Sequence, residues 1–205
     1  MNADDAKQAD ADHAIHPLLA GRWSPYGFTA RMPPASDLAA LFEAARWAAS
    51  SYNEQPWRYL VATRDEPRAH ARLADCLVAG NRAWAVDAPV LALGVVARRF
   101  EGNGEPNRAA EHDLGAASAS LTFEAAARGL HVHQMIGIEP ETARQAMAIP
   151  DGYDAFTALA IGYRASPETL TDKLRERDLR PRQRRPQSGF VFGAAWGEPA
   201  PWTGD

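Results

Sequence analysis

Three polar segments, far apart in the chain, carry the side chains best suited to hold a ligand. The first is Gly21–Phe28, "GRWSPYGF", where Arg22 offers a planar fork of donors for a phosphate and Ser24 adds a hydroxyl two residues on. The second is Ser50-Ser51-Tyr52-Asn53-Glu54-Gln55, closed by Pro56 and Trp57. A helix-to-strand loop needs a Gly or Asn to stop the helix and little more, whereas this one offers hydroxyl, amide and carboxylate groups that can donate to and accept from the edge of a heterocycle. The third is the arginine-rich stretch in which Arg182 and Arg184 alternate and Pro186 stiffens the exit. Together the three suit an anionic, aromatic ligand. Each also has a plainer reading. Arg22 can be a surface cation, the later arginines can be solvated or paired with Glu176 and Asp178, and Ser51, Asn53 and Gln55 can satisfy loop backbone.

Other routes to chemistry are thinly represented. No G-x-G-x-x-G follows a strand pattern, and there is no G-x-x-x-x-G-K-[ST], H-E-x-x-H or G-x-S-x-G. His131 and His133 alternate along one strand face, as metal ligands can, but no third ligand of obvious spacing accompanies them, and a pair of buried imidazoles is the plainer reading. No metal site and no catalytic side chain are assigned. Cys76 sits in a helical pattern as a small core residue. Glu111-His112-Asp113 opens a helix, where acids offset the dipole. With no evident nucleophile, catalysis by this chain would need a cofactor.

The elements that must carry these segments alternate between helix and strand. Ser36 is placed to cap a helix over Asp37 to about Ala49, with Leu38, Leu41, Phe42 and Ala45 on one face. Residues 57–63 read as a strand, 67–79 as a helix, and 90–97, "VLALGVVA", as a central strand covered on both faces. The longest helix spans about 109–128; Gly115, Ala116, Ala117, Ser118, Ala119 and Ser120 make its middle thin enough for another backbone to approach, and Gly129 ends it. A strand or extended segment over "LHVHQMIGI", a helix from about 140 to 147, a strand over 155–163 and a helix over 167–176 complete the pattern. This order implies an α+β or α/β fold around one sheet.

The chain has 205 residues, 46% hydrophobic and 23% charged, which suits one soluble domain. Residues 1–13 read as a disordered tail, and 14–205 as a single domain with a C-terminal arm from about residue 177. A net charge of −4 offers no bulk attraction to nucleic acid or to an anionic membrane. The longest apolar run, Ala88–Ala97, is about half of the ~20 residues a membrane helix needs. The acidic N-terminus is unlike a secretory signal and the single cysteine rules out an internal disulfide, so the chain is expected in the cytoplasm.

The order "R-x-S" near the N-terminus, "ASSYNEQPW" after the first long helix and "R-x-R-R-P" near the C-terminus resembles the nitroreductase family. "APVLALGV", "HDLGAASASLTFEAAARGL", Ile149-Pro150 and "AIGY" at 160–163 agree with it, and the likeness runs from about residue 14 to 193. The resemblance implies an α+β nitroreductase-like fold, with a central mixed, mainly antiparallel sheet flanked by helices, in an intertwined homodimer. It also implies flavin mononucleotide (FMN) as cofactor and NADH or NADPH as co-substrate. Hydride would pass through flavin N5 to an electron-poor acceptor, such as a nitroaromatic, quinone or enone, in a ping-pong cycle. A family offshoot (dehydrogenase, dehalogenase or flavin-degrading enzyme) and a non-catalytic flavin carrier or sensor are the alternatives.

By the same resemblance, Arg22, Trp23 and Ser24 lie at the flavin phosphate, with Arg182 and Arg184 closing on it. Ser50, Ser51 and Asn53 reach the flavin from the partner subunit, while Gln55, with Pro56 and Trp57, fixes their loop. Asn81 contacts the pyrimidine side of the ring, and Gln134, Met135, Ile136 and Gly137 lie over it with a backbone N–H toward N5. The sequence departs from the family's pattern at Tyr26, where many members have a second basic residue, at Ala49 for a frequent Pro, at Ile136 for Gly or Glu, and at His131 and His133 for small residues.

Overall fold

The computed structural model describes residues 3–203. A short helix α1 (Ala3–Lys7) is followed by α2 (Pro17–Gly21) and α3 (Ala35–Arg46). Strand β1 (Trp57–Thr63) then leads through α4 (Pro67–Ala74) and α5 (Ala79–Ala85) to β2 (Val90–Ala97). The long helix α6 (Ala110–Ala127), β3 (His131–Met135), α7 (Pro140–Ala146), β4 (Tyr153–Gly162) and α8 (Asp172–Leu179) complete the order. The strands form one sheet in the order β1-β2-β4-β3, and all three pairings are antiparallel. This is the α+β architecture that the sequence implied, with the sheet antiparallel throughout the described residues.

The sheet has a core on each face. Leu91, Leu93 and Val95 of β2 point into one, with Leu73 of α4, Trp84 of α5 and Ala143 of α7. Val90, Ala92 and Val96 point into the other, with Leu41 of α3 and Leu114, Leu121 and Ala125 of α6. Strand β2 is therefore apolar on both sides because both sides are covered. Beyond α8 the chain runs as an arm whose last part closes on itself, with Phe192 bridging Pro199 and Gly193 N donating to Glu198 O at 2.8 Å. Phe190, Trp196 and Trp202 of that arm are exposed.

Several boundaries differ from the sequence reading. Helix α3 starts at Ala35 behind Pro34, and Ser36 is not its cap. The expected helix over 67–79 divides, because Leu77 leaves the helix to bridge Ile138, and α5 starts only at Ala79. The helix expected over 167–176 becomes a 3-10 turn at Pro167–Thr169, and α8 begins at Asp172. Leu170 in the gap packs over Gly27, where a Cβ would meet its side chain at 2.3 Å. The N-terminal segment expected to be disordered is helical over Ala3–Lys7: Ala3 and Ala6 are buried, and Asp4 pairs with Arg164 across the fold. An isolated helix of that length is unstable, so tertiary contacts hold it.

Candidate functional site

The segment around Arg22 is built from both chain ends. Trp23 is only 2% exposed; its indole N–H donates to Asp4 Oδ1 at 3.1 Å, and Lys7 lies 5.5 Å from its ring centre. Trp23 can therefore offer a ligand little more than backbone. From α8, buried Asp178 accepts from Tyr26 N at 2.9 Å, and burial raises its carboxyl above the ordinary value. The Tyr26 ring packs edge-on to Trp84 and His133, and Arg177 places its guanidinium 5.0 Å from the ring centre.

Arg22, Arg182 and Arg184 meet here. Arg182 donates to Arg22 O at 2.5 Å and also to Ala20 O, which fixes the C-terminal arm against the start of the segment. Arg22 Nη1 lies 3.4 Å from Ser24 Oγ. Burial, and then the charge of Arg184, hold the Arg22 guanidinium below its usual value; burial, and then Arg22 and Arg184, do the same to Arg182. Among the described residues none of the three forms an ion pair, and Arg182 Nε is buried without a partner. Guanidinium groups without an ion-pair partner suit an anion, and their forked donors favour phosphate. A cavity of about 330 Å³ adjoins Arg22, lined also by Asp4, Leu18, Thr122, Gly129 and His131 among others.

The two strand histidines form the wall next to these arginines. His133 Nδ1 is 2.8 Å from Pro25 O and its ring packs on Trp84 at 4.4 Å; His131 meets the edge of Trp23 at 5.6 Å. Burial lowers both, His131 to about 4, with the charge of Arg22 adding to the effect. Lowered in this way, both rings favour the uncharged form, which leaves the positive charge of this wall to the arginines. Among the described residues no three His, Cys, Asp or Glu side chains converge as a metal site.

Segment 134–137 continues from β3. Gln134 Nε2 donates to Ser118 O at 3.1 Å and Thr122 Oγ1 at 2.9 Å, so its amide nitrogen is engaged by α6. Met135 is buried in the core, which leaves its backbone as the part available to a ligand. Ile136 is 74% exposed, and Gly137 is held by Asn81, whose Nδ2 donates to Gly137 O at 3.0 Å. Asn81 is thus joined to this segment by a direct hydrogen bond, a contact the sequence did not predict.

The Ser50–Gln55 loop lies elsewhere. It enters β1 at one edge of the sheet, whereas segment 134–137 leaves β3 at the other edge. The two edge strands, β1 and β3, lie three strand spacings apart, about 14 Å. Both edges reach α6: Tyr59 OH of β1 is 2.9 Å from Ser118 Oγ, and Gln134 of β3 bonds to the carbonyl of the same serine. The loop itself is stiff. Tyr52, Asn53 and Gln55 all have left-handed backbone (φ 54°, 57° and 52°), a conformation that costs on the order of 1 kcal/mol each in non-glycine residues. Ser50 Oγ accepts from Gln55 N at 3.0 Å, Gln55 Nε2 donates to Asn53 O at 2.9 Å, and Ser51 N donates to Asp113 Oδ2 of α6 at 3.1 Å. Tyr52 is 91% exposed and meets Phe100 edge-on. Within one chain, then, the arginines and segment 134–137 share one edge, and the polar loop stands at the other.

Sequence reasoning did not find Asp4, Asp113 or Asp178 as supports. Each acts on a residue distant in the chain, so no local spacing betrays it.

Comparison with known proteins agrees with this architecture. The family model described as Nitroreductase family matches residues 19–163. The chain is 39% identical over 99 residues to an uncharacterized 15.4 kDa protein in the ask 5′ region of Mycolicibacterium smegmatis, spanning 47% of this chain and 67% of that protein. A solved structure described as an oxidoreductase containing FMN superposes with a TM-score of 0.86 at 31% identity, over 96% of this chain and 98% of the other. A nitroreductase family protein from Clostridium difficile 630 shares the fold at 19% identity, with a TM-score of 0.68 over 87% and 96% of the two chains. With the matched residues covering most of the sheet, its helices and the Arg22 segment, the chain belongs to the nitroreductase family.

Proposed function

We propose that the protein is a homodimeric, FMN-dependent oxidoreductase of the cytoplasm, taking electrons from NADH or NADPH and delivering them to an electron-poor acceptor. The observation that carries the reading is the meeting of Arg22, Arg182 and Arg184 with no carboxylate partner among the described residues, beside a buried, unpartnered Arg182 Nε. That donor set fits a phosphate monoester. Arg22, Ser24, Arg182 and Arg184 would hold the phosphate, and segment 136–137, fixed by Asn81, would face the ring. Flavin bound there supplies two-electron chemistry that no side chain of the protein offers.

The separation of the polar loop supports a dimer. A loop at the opposite edge of the sheet from the rest of the site, yet stiffened at a cost in backbone strain, suits a ligand held by a second copy of the chain. The exposed Phe190, Trp196 and Trp202 of the arm give apolar surface that such a partner would cover. The protein's own residues then bind and orient; none has to move a proton for the acceptor to be reduced.

The test pairs cofactor content with turnover. Purified protein should carry FMN and oxidise NADH or NADPH in the presence of a quinone or nitroaromatic. The Arg22→Ala, Arg184→Ala double variant should lose FMN while keeping its fold. Flavin retained at wild-type affinity would overturn the phosphate assignment, and flavin without turnover would make the protein a carrier.

A further inference from the structure

The loop at Ser50–Gln55 cannot owe its shape to local preference. Three of its residues take left-handed backbone and none is glycine, so hydrogen bonds must hold it in place. The bonds within the loop (Ser50 Oγ to Gln55 N, Asn53 O to Gln55 Nε2) only join its residues to one another. On its exposed side Glu54 accepts from Glu101 N at 2.6 Å and Gln55 O accepts from Arg58 Nη1 at 3.0 Å, both contacts open to water. The anchor from the protein interior is Asp113, 2% exposed in the first turn of α6, whose Oδ2 accepts from Ser51 N at 3.1 Å.

The neighbouring acid of that turn behaves differently. Glu111 faces outward and pairs with Arg98 at 2.6 Å, and is the residue whose role fits the helix dipole. Asp113 points inward and forms no ion pair among the described residues. Burying a carboxylate is costly unless hydrogen bonds repay it, so its place under the loop calls for a function.

We propose that Asp113 is a positioning residue for the flavin: through Ser51 N–H it sets the loop that one protomer offers to the flavin of its partner. The inference rests on the FMN and dimer reading above. Helix α6 then links the two sites of a dimer, since its first turn anchors the loop and its next turns hold Gln134 through Ser118 and Thr122.

The experiment measures two things on full-length protein: FMN affinity by fluorescence titration, and amide hydrogen exchange of the flavin-free protein at residues 51–55. Asp113→Ala should raise the FMN dissociation constant at least tenfold, alter the visible flavin bands and speed exchange in the loop, while Asp113→Asn, which keeps an acceptor oxygen, stays within about threefold of wild type. Should Asp113→Ala fail to fold, Ser51→Pro removes the N–H donor instead; Ser50 before it already has the extended ψ of 156° that a following proline needs. Ser51→Pro should bind FMN more weakly than Ser51→Ala, which keeps the donor. Unchanged affinity in Asp113→Ala, an equal loss in Asp113→Asn, or equal affinity in the two Ser51 variants would overturn the proposal. Faster exchange with unchanged affinity would also overturn it, leaving Asp113 a structural residue. A wild-type protein that takes up no FMN would instead remove the functional reading, and this inference with it.

Discussion

Asn81 Nδ2 donates to the carbonyl oxygen of Gly137 at 3.0 Å, and a Cβ on Gly137 would lie 2.5 Å from that same nitrogen. The hydrogen bond and the absence of a side chain are thus one requirement. Gly137→Ala should destabilise the fold by about 1–3 kcal/mol, because Val78 Cγ2, at 2.9 Å, blocks the other direction of relief. In an Asn81→Ala background the same change should cost less, since one of the two clashing groups is gone. Urea unfolding of the two single variants and the double variant measures this coupling.

The arginine cluster gives a prediction independent of flavin. Arg22 and Arg182, both held below their usual values by burial and then by neighbouring arginine charge, should welcome a phosphate-like anion. Inorganic phosphate at millimolar concentration should raise the Tm of flavin-free protein by a few degrees through binding to the folded state alone. The effect should vanish in Arg22→Ala, Arg184→Ala, as read by thermal scans with and without phosphate.

His131 makes stability depend on pH. Its folded-state value is lowered from 6.5 to about 4, chiefly by burial. The unfolded chain therefore takes up the proton first as pH falls, and stability is lost progressively from about pH 6.5 down to about pH 4. The loss attributable to this residue is on the order of 3 kcal/mol. His133 is shifted in the same direction. His131→Asn should flatten the dependence of the unfolding free energy on pH across that window.

Tyr59 and Ser118 form a partly buried contact between β1 and α6 at 2.9 Å, and burial pushes the phenol up to about 12, so it stays neutral and able to donate. Tyr59→Phe should cost about 1 kcal/mol, as for a hydrogen bond lost from a partly buried pair. Chemical denaturation of Tyr59→Phe and Ser118→Ala, alone and combined, should show less than additive loss.

Strands β1 and β2 were legible to the residue because both are bounded by sharp changes of pattern: Pro56 before Trp57, and Asp87 to Pro89 before Val90. Helix α6 was equally plain, with Gly129 at φ 71° supplying its stop. What failed depended on distance. Leu77 leaves its helix for Ile138, Leu170 breaks another to cover Gly27, and Ala3–Lys7 fold only because Asp4, Trp23 and Arg164 come together. At the candidate site, residue types and spacing pointed to Arg22, Arg182 and the polar loop. They could not show that Trp23 and Met135 turn inward, or that Asp113 and Asp178 hold the segments in place, since those contacts exist only after folding.

The most direct measurement is the visible absorption spectrum of the purified protein, with the released chromophore identified by mass. Flavin bands and a released mass of FMN are the expected result. A colourless protein that takes up no FMN on addition would contradict the assignment of Arg22, Arg182 and Arg184 as a flavin-phosphate site, and would leave the family's fold without its cofactor.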